Sequence, residues 1–278
     1  FIPTYGRPPA SVPAAFPYPA AEQGTPAAAL DWQQFFADPR LRELIGTALA
    51  NNRDLRVALL NVEQARAQYD IRRADLLPSV GVGLNANRAP SPVNGDQVTS
   101  WQAGFLLSAW EIDFFGRLRS LSEAAVAQYL ATEEGRKAAQ VTLVSSVATT
   151  WLSVVAGEEL LALTRQTLAT REDSLRLTQL RFDQGVSSEL DLQLARSLAE
   201  TARAALAQQQ RQRAVDLHAL ALLVGQPLAT TFDSGTRLAA VQLPDVPPGL
   251  TSDGLAARPD VRQAEQQLVS ANASIGSA

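Results

Sequence analysis

Residues 117–182 read RLRSLSEAAVAQYLATEEGRKAAQVTLVSSVATTWLSVVAGEELLALTRQTLATREDSLRLTQLRF. The stretch has no proline, and its only glycines are Gly135 and Gly157. Ala, Leu, Gln, Arg and Glu dominate it, all strong helix formers. An average helix has about 11–12 residues. One unbroken pattern of this length therefore predicts a rod on the order of 100 Å, at 1.5 Å rise per residue. No globular core of this chain buries such a rod along its length, so it requires other long helices beside it. Residues 138–157 carry no charge and raise the rival reading of a membrane helix. They also hold Gln140, Thr142, Ser145, Ser146, Thr149, Thr150 and Ser153, with charges crowded on both sides. That composition suits close helix–helix packing and not lipid.

Toward the C-terminus the rod ends in RFDQGVSSELDL. Gly185 suits a left-handed C′ position, and Ser187 or Ser188 suits the N-cap of the next helix. Glu189 and Asp191 then fall in a first turn, where the macrodipole favours acids. This second helix is predicted to reach about Leu223 and stop at Gly225-Gln226-Pro227, with Leu190, Leu194, Leu198, Ala202 and Ala205 as its apolar stripe. A linker with Pro244, Pro247, Pro248 and Gly249 comes next. A last helix starts near Pro259 and still runs at Ala278.

Toward the N-terminus the period changes. Val80, Val82, Leu84 and Ala86 alternate with Ser79, Gly81, Gly83, Asn85 and Asn87. Trp101, Ala103, Phe105, Leu107 and Ala109 alternate with Gln102, Gly104 and Ser108, a face that Leu106 and Trp110 make less polar. The pattern predicts two strands of about ten residues, separated by the loop RAPSPVNGDQVTS and closed by Asp113 and Gly116. About ten residues is what a tilted strand needs to cross an outer membrane. Two strands close no barrel, so further copies or further sequence must complete it. The bland alternative is a hairpin packed on helices. Before the strands, Asp38-Pro39 opens a helix to about Ala50 with Leu41, Leu44, Ile45 and Leu49 on one face. Another runs from near Asn52 to about Leu76, with Leu55, Leu59, Val62, Ala65 and Tyr69 at helical spacing, until Pro78 stops it.

Seven of the 16 prolines fall in residues 1–26. That segment predicts an extended arm with Tyr5, Phe16 and Tyr18 as apolar anchors, or a plain linker. No charged n-region with an apolar core opens these residues, so any signal peptide is expected to have been removed already. With no Met in 278 residues and a final helix that stops without a cap, the chain reads as a processed or partial product. A shift of 206 residues aligns NRDLRVALLNVEQARAQYDI with RPDVRQAEQQLVSANASIGS, placing Asp54 on Asp260 and Arg56 on Arg262. The full protein is then two copies of a helix–hairpin–long helix–helix unit, with a second strand pair beyond Ala278.

The composition excludes several classes. Net charge is −4, which gives no general attraction to nucleic acid. There is no Cys and one His, His218, so thiolate sites, disulfides and Ser-His-Asp chemistry fall away. No phosphate-binding Gly-rich loop occurs. His218 reads as a surface or structural residue, Glu133-Glu134 and Glu158-Glu159 as solvated faces, and Glu111 and Asp113 as residues that orient the strand-to-helix junction. No catalysis, cofactor or metal is expected.

Six segments, WQQFFADPRLRELIGTALANNRDLRVALLNVEQAR, LLPSVGVG, SAWEIDFFGRLR, RFDQGVSSELDLQLAR, LLVGQP and ARPDVRQAEQQLVSANASIGSA, carry a resemblance. The chain resembles the TolC-like outer-membrane factor family, in its lipoprotein branch serving resistance-nodulation-division (RND) multidrug pumps (NodT/OprM-like). The resemblance implies a mainly α fold with a β-hairpin: long antiparallel helices of a trimeric α-barrel, plus two strands of a shared transmembrane β-barrel. It implies a homotrimer in outer-membrane lipid that works with a periplasmic adaptor (membrane-fusion) protein and an inner-membrane RND pump. The N-terminal FIPTYGRPPASVPAAF is similar to the segment just after a lipidated, palmitate-bearing Cys in that branch. The adaptor-docking tip falls on Arg181, Gly185, Val186, Ser187, Leu190 and Asp191; a plain helix–helix turn is the simpler reading. The membrane hairpin falls on Val80, Val82, Leu84, Trp101, Phe105 and Leu107. The organisation expected is an arm at 1–30, helices at 31–78, the hairpin at 79–113, a helical hairpin at 114–225 with its tip near 182–188, an equatorial linker at 226–257, and the start of a second repeat at 258–278. The function implied is a passive exit duct for drugs or other small molecules. The alternatives are the duct of a type I secretion or metal efflux system, or a soluble coiled-coil scaffold.

Overall fold

The computed structural model describes residues 2–7, 31–93, 95–107, 110–229, 232–244 and 253–278. It is 69% helical. The elements in order are α1 (Trp32–Phe35), α2 (Pro39–Asn51), α3 (Arg53–Ala74), β1 (Val80–Pro90), β2 (Gln97–Leu107), α4 (Arg117–Asp183), α5 (Glu189–Val224), α6 (Asp253–Ala256) and α7 (Pro259–Ile275). A 3-10 turn spans Leu238–Ala240. The described residues divide into two compact units. One holds residues 2–7, 59–135 and 259–278, and the other lies within 31–58 and 136–258.

In the second unit the core is built on the uncharged stretch of α4. Leu143, Val144, Val147, Ala148, Trp151, Val154 and Val155 are buried against Leu41, Ile45 and Ala48 of α2 and Leu220 and Val224 of α5. Although α4 is long and apolar enough to cross a membrane, 39% of its apolar window is buried, packed against α2 and α5. Asp38 caps α2 as the sequence predicts, accepting from the backbone N–H of Arg40 and Leu41, with Pro39 in the first turn. Buried Asn52 caps α3 through the Leu55 N–H and donates from Nδ2 to the Leu223 carbonyl, tying the start of α3 to the end of α5. There α5 ends at Gly225 (φ 79°), where a Cβ would overlap the Asn51 carbonyl. Only glycine satisfies both the left-handed backbone and the close approach.

α4 and α5 form an antiparallel hairpin. Arg203 of α5 reaches back to Glu172 of α4 (Nη2–Oε1 2.8 Å), and Arg213 reaches Glu158 (2.9 Å). Here two expectations fail. Of the expected stripe only Ala202 is buried; Leu190, Leu194, Leu198 and Ala205 are exposed, and Leu192 and Ala199 turn inward with Ala202. Both rows have helical spacing, and only the position of the neighbouring helix decides between them. Glu158 is half-buried and not on a solvated face, whereas Glu159 is exposed as expected. Glu158 accepts from Arg213, from the Ser234 hydroxyl (2.6 Å) and from the Ser234 N–H, while Glu159 accepts from the Leu238 N–H (2.8 Å). Arg213 also donates to the Phe232 carbonyl, and Arg40 to the Asp233 carbonyl. These contacts strap residues 232–238 to the middle of the helical hairpin.

In the first unit α7 lies on the opening turns of α4, with Ser270 Oγ donating to the Ala124 carbonyl. α7 begins 206 residues after α3, at the offset of the internal repeat. It stops at Ile275 and does not run to Ala278, because Gly276 closes a turn onto Ala273 while packed against Ser120 and Ile2. Residues 2–7 lie on α7 of the same chain: Arg7 pairs with Glu265 (3.1 Å), and the Pro3 carbonyl accepts from Asn272. Phe16 and Tyr18, the other proposed anchors, lie outside the described residues. Glu134 is buried and faces Arg262 (3.9 Å), and Glu133 accepts from the Tyr129 hydroxyl, so this pair is not a solvated face.

Trp151 is wholly buried, and its indole N–H has no acceptor among the described residues. Trp151→Ala is expected to destabilise the full-length protein by about 3–5 kcal/mol. Trp151→Phe is expected to cost much less, because it removes a buried unpaired donor worth about 1–3 kcal/mol. Thermal unfolding followed by circular dichroism checks both.

Candidate membrane and docking surfaces

β1 and β2 pair antiparallel from Val80↔Leu107 to Pro90↔Gln97. The strands are longer than the sequence predicts at the turn and shorter at the other end. β2 begins at Gln97 inside the expected loop, and residues 110–116 are not strand; Ala109 lies outside the described residues. The Ser91 N–H donates to the Asp96 carbonyl, and Gly95 (φ 74°) supplies the left-handed step that closes the turn. The sequence-predicted loop fails because polar residues at a strand end pair as well as apolar ones when the register is already set.

Directly paired residues share a face. The rows Val80/Leu107, Val82/Phe105, Leu84/Ala103 and Ala86/Trp101 therefore put every candidate membrane residue on one side. The other side carries Gly81, Gly83, Asn85 and Asn87 opposite Leu106, Gly104, Gln102 and Ser100. Among the described residues, no helix covers the apolar side. Val80, Val82, Leu84, Trp101, Phe105 and Leu107 are 66–84% exposed, so the hairpin is not packed on helices. An isolated two-stranded hairpin is marginal in water, and a contiguous exposed apolar face marks a surface awaiting a partner. Glu111 and Asp113 organise the exit from β2. Glu111 pairs with Arg117 (Oε1–Nε 3.1 Å), and Asp113 accepts the N–H groups of Leu118 and Arg119 at the start of α4.

The second candidate surface is the α4–α5 turn. Gly185 has φ 71°, its N–H donates to the Phe182 carbonyl, and the Val186 N–H donates to that of Arg181. This is a Schellman closure, which requires a residue that tolerates positive φ. Ser188, not Ser187, is the N-cap. Its hydroxyl accepts from the Asp191 N–H, and Asp191 accepts from the Ser188 N–H, closing a reciprocal capping box. Ser187 donates to the same carboxylate. These bonds fix a rigid tip on which Val186 and Leu190 stand out, 77% and 69% exposed. A shallow groove behind it is lined by Arg171, Ser174, Asp191, Leu194, Ala195 and Leu198. The structure brings Arg181, Gly185, Val186, Ser187, Leu190 and Asp191 together within one turn. Sequence reasoning missed the groove, although it named the leucines that line it, Leu194 and Leu198, as part of a core stripe. His218 is exposed on α5. Among the described residues, no group of three or more His, Asp or Glu side chains is placed to hold a metal.

Comparison with known proteins places the chain in a family. Residues 44–226 match the outer membrane efflux protein family, and the chain belongs to it. It is 43% identical over 288 residues to the toluene efflux pump outer membrane protein TtgC of Pseudomonas putida, covering 100% of this chain and 60% of that one. It is 41% identical over 286 residues to the outer membrane protein OprJ of Pseudomonas aeruginosa, covering 99% and 59%. The open-state MtrE outer membrane channel of Neisseria gonorrhoeae superposes with a TM-score of 0.84 at 35% identity, over 100% of this chain and 62% of that one. The chain thus spans about 60% of the length of the curated relatives it matches.

The capping box has a pH signature. Hydrogen bonds from the Ser188 hydroxyl, then from its N–H, hold the Asp191 carboxyl below its ordinary value. A carboxyl depressed in the folded state stabilises above its unfolded pKa of about 4, and that contribution is lost as pH falls through the folded value. Amide protection factors at residues 185–191, that is, rates corrected for the intrinsic pH dependence of exchange, are expected to fall below about pH 4 in the wild type. Asp191→Asn is expected to be poorly protected at neutral pH and to lose the acid dependence.

Proposed function

We propose that the full protein is a subunit of an outer-membrane exit duct in a tripartite efflux pump, a passive conduit from periplasm to exterior. The observation that carries this reading is the in-phase apolar face of the β1–β2 hairpin, uncovered on one side and lined with Gly, Asn and Gln on the other. Lipid outside and water inside is what a barrel segment needs. Known bacterial barrels have at least about eight strands. One hairpin from each of three subunits gives too few, whereas two per subunit, as the internal repeat implies, give enough. A homotrimer of the duplicated unit therefore satisfies strand count and symmetry together.

The helical hairpin forms the wall of a periplasmic tunnel, with α4 and α5 flanked by equivalent helices of neighbouring subunits. Arg181, Gly185, Val186, Ser187, Leu190 and Asp191 form the surface that docks the periplasmic adaptor protein. An inner-membrane RND pump supplies the energy. The names of the relatives, among them a toluene efflux protein, support small organic cargo.

The test is insertion of full-length protein into planar bilayers. Wild type is expected to give stable conductance steps. Phe105→Arg places a charge on the lipid face and is expected to cost about 2–4 kcal/mol and abolish insertion. Asn85→Arg, on the opposite face, is expected to insert and alter conductance. Equal behaviour of the two variants contradicts the assignment of faces.

A further inference from the structure

The apolar face of the hairpin carries a single charge. Beyond the Ala86/Trp101 row, the next rows on that face are Arg88/Thr99 and Pro90/Gln97. Arg88 is the one ionisable residue among the paired residues of this face. Asp96, one residue before β2, has the parity of the Gly and Asn face. Arg88, Thr99 and Gln97 are all exposed.

A cation on a lipid face costs about 2–4 kcal/mol at the bilayer midplane and about 0–1 kcal/mol near the interface. Its cost therefore fixes a depth. Arg88 lies two residues past the Ala86/Trp101 row, about 7 Å along the strand, or about 5 Å of height at a tilt of about 35–45°. Trp favours the headgroup level. A guanidinium one row beyond it, on a long flexible stem, reaches the headgroups themselves. The leaflet follows from the topology. α3 enters β1 and α4 leaves β2 at the same end of the hairpin, and the turn after Pro90 is the other end. With the helices in the periplasm, Arg88 stands in the outer leaflet.

The donors gathered there define the ligand. Arg88 offers a fork of N–H groups, Thr99 opposite it a hydroxyl, and Gln97 in the next row an amide. No acid of that face competes for them. A phosphate oxyanion suits the set, because a guanidinium grips two of its oxygens at once. In the outer leaflet of an outer membrane that phosphate is carried by a glycolipid, the lipid A of lipopolysaccharide.

We propose that Arg88, with Thr99 and Gln97, binds a phosphate of the outer-leaflet glycolipid and so ties each subunit to the lipid around the duct. The inference rests on the exit-duct reading, which supplies the leaflet.

Native mass spectrometry of the full-length protein, delipidated in detergent, tests it. The probes are bisphosphorylated lipid A, lipid A stripped of its phosphates, phosphatidylglycerol and inorganic phosphate. Arg88→Gln is expected to bind bisphosphorylated lipid A about tenfold more weakly than wild type. Arg88→Lys is expected to keep part of the affinity, and Arg165→Gln, which removes an exposed arginine of α4, all of it. The difference between wild type and Arg88→Gln is expected to vanish with dephosphorylated lipid A. Equal binding of bisphosphorylated lipid A by wild type and Arg88→Gln overturns the inference, as does an equal loss in Arg165→Gln. Phosphatidylglycerol or inorganic phosphate held at Arg88 as tightly as lipid A overturns it too, since the source is then not the glycolipid. A Phe105→Cys spin label in phospholipid vesicles keeps the two readings apart. Lipid exposure of that label leaves the duct standing whatever lipid A does, whereas access to a water-soluble nickel chelate removes the duct reading and this inference together.

Discussion

A helix of 67 residues presents more surface than this chain covers. α2 and α5 bury one side of α4 around Trp151, and that contact organises the second unit. Beyond it, Leu160, Leu163, Leu177 and Leu180 of α4 remain exposed, as do Leu190, Leu194 and Leu198 of α5. Isolated leucines on a surface are ordinary; rows of them on both helices of one hairpin are not. The hairpin of β1 and β2 repeats the situation in another geometry, with an apolar face that none of the described residues covers. Both features leave apolar surface that the described residues do not cover.

Polar contacts set what packing leaves free. Two antiparallel helices with leucine rows slide easily past each other, since one register buries about as much as the next. The Arg203–Glu172 and Arg213–Glu158 pairs select one. The exposed pair contributes little stability, whereas the half-buried Glu158 also holds Ser234 and so fixes the strap at residues 232–238. At the tip, the Schellman closure and the capping box satisfy the helix ends locally, so the turn needs no support from other elements.

Local signals carried most of the architecture. Asp38-Pro39, Pro78, Gly185 and Gly225-Gln226-Pro227 each mark a boundary through their own backbone chemistry, and the structure places helix ends at or near all of them. The alternation at 80–86 and 101–107 carried the faces of both strands. What stayed hidden depends on distant partners. Glu158 meets Arg213 and Ser234 at sequence separations of 55 and 76, and no local pattern encodes that. The buried row of α5 was ambiguous for the same reason: Leu190, Leu194 and Leu198 read as one core stripe with Ala202, yet α4 takes the side where Leu192 and Ala199 join Ala202. The leucine row is legible as interface only once a single chain is seen to leave it bare.

The central claim is that this chain is part of a shared wall and does not satisfy its own surfaces. Single-particle electron microscopy of the full-length protein purified in detergent tests it most directly. The expected result is a three-fold tube well over 100 Å long at 1.5 Å per helical residue, with β1 and β2 inside a closed barrel. A compact monomer that stays soluble without detergent, its leucine rows and hairpin folded inward, would contradict it.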